Sequence, residues 1–192
     1  MSEQLEIEWK TALTKEEYTR LLTKLNITEF FTQTNSYFDT PTFTLQSKKC
    51  GLRIRLLDTY AELTLKSPQP VGKLETTDQL TLAEAKELLQ LGRIPNEGAV
   101  AQALETLGIH PAGVVKFAEL TTKRAELPIN EGLLAIDESW AHNLHDYELE
   151  LEVDEAHADQ AHFLNLLNNW NLTFRPTKNK IQRAKEAADS TK

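Results

Sequence analysis

The 192-residue chain lacks most of the features that fix a fold or a chemistry covalently. It has one cysteine, Cys50, so an internal disulfide is excluded and a reducing compartment suits it. No apolar run approaches the roughly 20 residues that cross a bilayer. The opening Met1-Ser2-Glu3-Gln4 has neither the basic nor the apolar region of a secretion signal, so a cytoplasmic location is expected. Its seven glycines form no phosphate loop, dinucleotide fingerprint or nucleophile elbow. Histidines are few: His142 and His145 could share one helical turn, but no third soft ligand accompanies them, and His110, His157 and His162 are badly spaced. Aromatics make up only 7%, and Trp9 shares the parity of Leu5 and Ile7, which suits a core position better than a base-stacking platform. Positive charge is also in deficit. The 21 basic against 29 acidic residues leave a net −8, which argues against a general nucleic-acid or anionic-membrane surface. A local pocket can still oppose that net charge and hold a small anion.

What the chain does have is alternation. Leu5-Glu6-Ile7-Glu8-Trp9-Lys10 puts Glu6, Glu8 and Lys10 on one side of a strand, about 7 Å apart along it. Leu52–Leu56 sets Arg53 and Arg55 against three aliphatics, and Glu62–Lys66 sets Glu62, Thr64 and Lys66 against two. Tyr147–Val153 opposes Glu148, Glu150 and Glu152 to Leu149, Leu151 and Val153. Further strands are expected over Ser36–Asp39, Thr42–Gln46, Lys73–Gln79, Lys116–Leu127, Leu133–Ser139 and Leu172–Phe174, giving a largely antiparallel sheet. Capping boxes at Thr14–Glu17 and Thr81–Glu84 open helices, the second stopped by Gly92. Two more apolar stripes are Val100-Ala103-Leu104-Leu107, closed by Gly108, and Phe163-Leu166-Leu167-Trp170, ended by Asn171. The pattern predicts a single α+β domain over residues 1–184 and a polar, fraying tail over 185–192.

Each strong strand has one greasy face for the helices, so the charged face looks either to water or into the bore of a closed barrel. The charges are sorted: two arginines on one strand, two glutamates on another, three glutamates on a third. Either these form a ladder of cross-strand ion pairs, or each group awaits an outside counter-ion. Arginine forks match phosphate oxygens, and carboxylates without His or Cys partners suit Mg²⁺ or Mn²⁺. A metal-complexed polyphosphate supplies both. Cys50 follows two lysines that could lower its pKa, although a small packing residue at a strand start fits as well.

Together these residues resemble the CYTH superfamily, the triphosphate tunnel metalloenzymes, in their small bacterial stand-alone branch. The Glu-x-Glu-x-Lys signature is met by Glu6, Glu8 and Lys10. It is followed in order by Asn35–Thr40, Leu52–Arg55, Leu63–Lys66, Glu75, Arg124, Asp137, Tyr147–Glu152, and Lys180 with Arg183. The resemblance implies an antiparallel closed β-barrel of about eight strands with a charged tunnel and helices outside. It implies that Lys10, Arg53, Arg55, Lys66, Arg124 and Lys180 grip the substrate, with Glu75 and Arg183 in support. Glu6, Glu8, Asp137, Glu148, Glu150 and Glu152 become the candidate metal ligands, and Glu6, Glu8 and Lys10 the catalytic strand. Equal parity leaves open which two of Glu148, Glu150 and Glu152 bind metal, and whether Lys178 or Lys180 takes the last basic role. The implied activity is metal-dependent hydrolysis of a linear triphosphate: inorganic triphosphate, thiamine triphosphate or a nucleoside triphosphate. The alternatives are a class IV adenylate cyclase, which needs an adenine pocket, and a non-catalytic polyphosphate- or nucleotide-binding module, for which so many carboxylates are excessive.

Overall fold

Alternation in the first strand recurs round the sheet, so that one face of every strand can bury against helices while the charged face turns to a common bore. The computed structural model describes residues 2–190. In chain order the elements are β1 (Ser2–Leu13), α1 (Lys15–Lys24), β2 (Phe31–Asp39), α2 (Thr44–Ser47), β3 (Gly51–Leu56), β4 (Ala61–Pro68) and β5 (Lys73–Leu80). Then follow α3 (Leu82–Leu91), α4 (Ala99–Thr106), β6 (Val115–Ile129), β7 (Gly132–Ala141), β8 (Leu144–Val153), α5 (Gln160–Asn169) and α6 (Lys180–Asp189). The strands close into an antiparallel barrel in the order β1-β5-β4-β3-β2-β6-β7-β8. Closure leaves no edge except where β1 changes partner. Its first half, Ser2–Glu6, pairs with β5, and Ile7–Leu13 pair with β8. The segment expected as a strand at Leu172–Phe174 runs past β1 without joining the ladder. The Arg175 carbonyl accepts from the Ala12 N–H and the Arg175 N–H donates to Thr11 Oγ1, at 3.0 and 2.8 Å.

Cross-strand register fixes which side chains share the bore. Lys10 faces Glu150, Glu148 faces Asp137, Asp137 faces Arg124, Arg55 faces Asn35, Arg53 faces Thr64, Lys66 faces Glu75, and Glu6 faces Lys73. One parity therefore carries the charges all the way round, and the other is apolar. Outside, Leu52, Ile54, Leu63 and Leu65 pack with Leu45 and with Ala85, Val100 and Leu104 of α3 and α4. On the opposite flank Ile7, Ile136, Leu149 and Leu151 pack with Tyr18 and Leu21 of α1 and with Phe163 and Leu167 of α5. Both expected capping boxes form, at Thr14/Glu17 and Thr81/Glu84, and Gly92 takes the left-handed conformation that ends α3.

Three expectations are corrected. Thr42–Gln46 is a turn and the start of α2, because Asp39 accepts the N–H groups of Thr40, Leu45 and Gln46 at 2.7–2.9 Å and curls the chain around its carboxylate. Leu172–Phe174 is not a strand, as above. Beyond Arg183 the chain is helical to Asp189, with Ala184 and Ala187 buried, so the expected fraying does not begin there; residues 191–192 lie outside the described part. A third capping box, Asn179/Gln182, opens this helix. It packs on Tyr37, Ala118, Leu120 and Ala141, which by register share the parity of the charged bore. Thus α6 closes one end of the barrel from within, while the other helices cover its apolar exterior.

Candidate active site

The cavity in the bore measures about 220 Å³. Its wall contains Glu6, Glu8 and Lys10 of β1, Arg53 and Arg55 of β3, Lys66 of β4, Glu75 of β5, Arg124 of β6, Glu150 and Glu152 of β8, and Lys180 of α6. Eleven residues singled out in the sequence thus meet in one place. The other three, Asp137, Glu148 and Arg183, lie behind the wall in the seam under α6. Lys178 is exposed and pairs with Glu186 at 2.6 Å, whereas Lys180 points into the carboxylates beside the bore.

Ion pairing divides the site into two clusters. In the first, Lys66 Nζ lies 2.6 Å from Glu6 and 2.5 Å from Glu75, and Arg53 reaches Glu75 only at 3.8 Å. Glu75 is a buried carboxyl, yet Lys66 and Arg53 outweigh the desolvation and lower its pKa. In the second, Arg124 forks onto Asp137 at 2.8 and 2.6 Å and also contacts Glu150. Lys180 touches Asp137, Glu148 and Glu150 at 2.8, 2.7 and 2.5 Å, and Arg183 holds Glu148 at 2.6 Å. Burial opposes charge on every member. For Glu150 the fields of Lys180 and Arg124 win and hold its carboxyl well below the usual range, whereas for Glu148 burial wins and raises it. Lys180 and Arg124 are both held more firmly protonated by the same acids, against their own desolvation.

Two places remain unbalanced. Burial, reinforced by Arg53 and Arg124, pulls the Arg55 guanidinium down to about 9. Its one side-chain hydrogen-bond partner among the described residues is Asn35, whose Oδ1 accepts from Nε at 3.0 Å. Arg53 Nε is buried with no hydrogen-bond partner, as is Asn35 Nδ2. Opposite these arginines, Glu152 faces Glu8 across the β1–β8 ladder. Burial raises its pKa, and so do Glu6 and Glu75, while its near neighbour is the neutral amide of Gln4 at 3.1 Å. Lys10 sits between the two regions, donating to Glu8 at 2.8 Å; burial lowers its pKa, but Glu8, Glu150 and Glu148 more than reverse that.

A carboxylate-only donor set fits a hard divalent cation. Asp137, Glu148 and Glu150 offer oxygens within 4.8 Å of one another. Lys180, Arg124 and Arg183 already neutralise those three, so a cation there competes with Lys180. Glu6, Glu8 and Glu152 also open onto the cavity, Glu6 paired with Lys66 and Glu8 with Lys10.

The cavity has residues that the sequence reading did not single out: Tyr37, Lys49, Lys73 and Glu126. Lys73 was detectable by parity, two residues before Glu75. Of the other dismissed candidates, His145 pairs with Glu138 at 2.8 Å and Trp9 packs on the outer core, both away from the cavity, whereas Cys50 is buried at its wall, its thiol pushed up by desolvation rather than down by the lysines.

An antiparallel tunnel with an ionic lumen, closed at one end by a C-terminal helix, defines a class of anion-binding barrel. The chain belongs to the CYTH domain family, whose model matches residues 4–184. It is 40% identical over 185 residues to the Bacillus subtilis (strain 168) protein named "Putative triphosphatase YjbK", covering 95% of both chains. Among solved structures it resembles a "putative adenylate cyclase" of Bacillus halodurans, with 39% identity, a TM-score of 0.89, and coverage of 95% of this chain and 98% of that one. It shares its fold with HpAC1 of Hippeastrum at 20% identity and a TM-score of 0.77, over 95% and 96% of the two chains; that protein is described as having a dominant triphosphatase activity.

Proposed function

We propose that the protein is a metal-dependent triphosphatase that hydrolyses a linear triphosphate held inside the barrel. The observation that carries this is the arginine wall: Arg53 and Arg55 face the bore opposite Glu6, Glu8 and Glu152, Arg53 with a buried Nε that has no hydrogen-bond partner among the described residues and reaching Glu75 only at 3.8 Å. Arg53 and Arg55 fork onto non-bridging phosphate oxygens, and Lys66 and Arg124 flank them as further cationic contacts. Lys10 spans the acidic and basic walls and stabilises charge developing on the transferred phosphoryl group. Lys180, fixed by three acids, holds the closed end of the bore, and Arg183 and Glu75 keep the two clusters in position. Glu6, Glu8, Glu150 and Glu152 would hold Mg²⁺ or Mn²⁺, with Asp137 and Glu148 reached only if Lys180 gives way. A cation bound there would supply charge neutralisation for the phosphate oxygens and activation of a water. The carboxylates themselves repel an anion that arrives without one. The family likeness to YjbK supports hydrolysis; the likeness to the Bacillus halodurans protein makes cyclisation of ATP the second reading. No helix among the described residues is long and apolar enough to cross a membrane, which fits work on a soluble substrate in the cytoplasm.

The test is a panel of inorganic triphosphate, thiamine triphosphate and ATP with Mg²⁺ or Mn²⁺, with Lys10→Ala and Glu8→Gln as controls. Released phosphate, lost in both variants and in excess chelator, is expected. Cyclic AMP in its place supports the cyclase, and tight binding without product supports a binding module.

A further inference from the structure

The acids behind the cavity wall already hold a cation, and it belongs to the chain. An ammonium has three N–H donors and no acceptor. Lys180 Nζ lies 2.8, 2.7 and 2.5 Å from carboxylate oxygens of Asp137, Glu148 and Glu150. The same three residues offer oxygens within 4.8 Å of one another, a spacing that a hard divalent ion can bridge. Asp137 and Glu148 are fully buried and Glu150 nearly so, and the Lys180 side chain is itself only 12% exposed. Around it, Arg124 forks onto Asp137 and contacts Glu150, and Arg183 holds Glu148. Three cations thus meet three acids. A divalent ion added to that set would leave two positive charges uncompensated where water is scarce, which is unfavourable.

The lysine is also fixed by its surroundings. It is the first residue of α6, directly after the Asn179 cap. The segment before it is tied to β1, where the Ala12 N–H donates to the Arg175 carbonyl and the Arg175 N–H to Thr11 Oγ1. One turn into the helix, Arg183 donates to Glu148, to Thr177 Oγ1 and to the Lys178 carbonyl, at 2.6, 2.9 and 3.2 Å. Ala184 and Ala187 seat the helix against Tyr37, Ala118 and Leu120. Withdrawing Lys180 therefore breaks this seat as well as three ion pairs. The cavity side differs. Glu152 has no ion pair among the described residues, its near partner being the Gln4 amide at 3.1 Å, and it lines the cavity with Glu6 and Glu8.

We propose that Lys180 is a built-in substitute for a metal ion: it keeps divalent cations out of the Asp137–Glu148–Glu150 set and confines them to the Glu6, Glu8 and Glu152 side of the bore. The inference rests on the proposed metal dependence for its consequence. Hydrolysis then runs with one divalent ion fewer than the acids could hold, and the ammonium supplies fixed positive charge at the closed end in place of the second.

The probe is Mn²⁺ alone, without any phosphate compound, with the bound ions per chain counted from the paramagnetic resonance of the unbound ion. Lys180→Ala is expected to bind one more Mn²⁺ than the wild type, and Lys180→Arg no more than the wild type. Adding Glu148→Gln to Lys180→Ala should remove the extra ion. Without metal, Lys180→Ala should melt below the wild type, since three acids then face two cations, and Mn²⁺ should raise its melting temperature more than the wild type's. An equal count in the wild type and Lys180→Ala overturns the proposal, as does a wild type that loses an ion on Glu148→Gln alone. Where Lys180→Ala does not fold without metal, that last comparison decides by itself. If the wild type binds no Mn²⁺, the metal-dependent reading fails separately, and the extra ion in Lys180→Ala is still required.

Discussion

Replacing Arg55 by methionine separates stability from function in a way a merely structural arginine would not. In the ligand-free protein this guanidinium is desolvated beside Arg53 and Arg124 and bonded to Asn35 alone. Its pKa, pulled to about 9, still leaves it charged at neutral pH, so the fold carries the cost of a buried cation. A downward shift of that size from 12.5 corresponds to about 5 kcal/mol as an upper bound at 1.36 kcal/mol per unit. Loss of the donor to Asn35 Oδ1 offsets about 1–2 kcal/mol, and water in the open bore screens more. Arg55→Met should therefore be more stable by about 1–3 kcal/mol, raising the melting temperature by roughly 3–9 °C for a chain of this size. Added triphosphate should raise the wild-type melting temperature through linkage and the variant's far less, and hydrolysis should fall at least a hundredfold. Differential scanning calorimetry with and without inorganic triphosphate reads the first two effects, and released phosphate reads the third. A variant that melts lower than wild type, or that keeps the full ligand-induced shift, refutes the argument that this wall is held open for an anion.

Other consequences follow from the paired half of the site. Glu148→Ala removes the carboxylate that Lys180 and Arg183 share in the seam, leaving Lys180 to Asp137 and Glu150 and Arg183 to Asp146, and denaturant titration should show a loss of about 1.5–3 kcal/mol, the worth of charge-assisted hydrogen bonds. Glu150, whose folded pKa lies well below 4.5, contributes stability that is complete above its unfolded value and lost as pH falls through the folded one. Glu150→Gln should accordingly show a shallower fall in stability below about pH 4.5 than the wild type; an unchanged acid limb contradicts this. Cys50, buried at the cavity wall with its thiol pKa raised, should react with a thiol reagent far more slowly than a free thiol, and rapid modification of the native protein would contradict this.

Strand parity made most of the bore legible. Glu6, Glu8 and Lys10, Arg53 and Arg55, and Glu148, Glu150 and Glu152 each announced a charged face, and register closes those faces onto one another. Parity does not say which charge meets which, because that depends on how the sheet closes. Hence the sequence left Glu148, Glu150 and Glu152 equivalent, whereas the structure buries Glu148 behind Lys180 and Arg183 and exposes Glu152 to the cavity. Lys73 escaped because Thr76 and Thr77 blur the alternation of β5. The most instructive miss is α6. Its inward stripe is Ile181, Ala184, Ala187 and Ala188, small residues sized to enter a barrel mouth and too weakly apolar to look like a core face. Asn179-x-x-Gln182 carried the signal, being the amide form of the capping box read correctly at Thr14 and Thr81. Asp39 shows the opposite failure: a carboxylate that captures three backbone N–H groups overrode the strand pattern of the residues after it.

The most direct measurement is a crystal structure with inorganic triphosphate and Mn²⁺, using Glu8→Gln to stop turnover. Phosphorus density inside the barrel, within hydrogen-bonding reach of Arg53, Arg55 and Lys66, with the anomalous metal peak against Glu6, Glu150 or Glu152, is the predicted result. Triphosphate bound on the outer surface, with the bore filled by water alone, would contradict it.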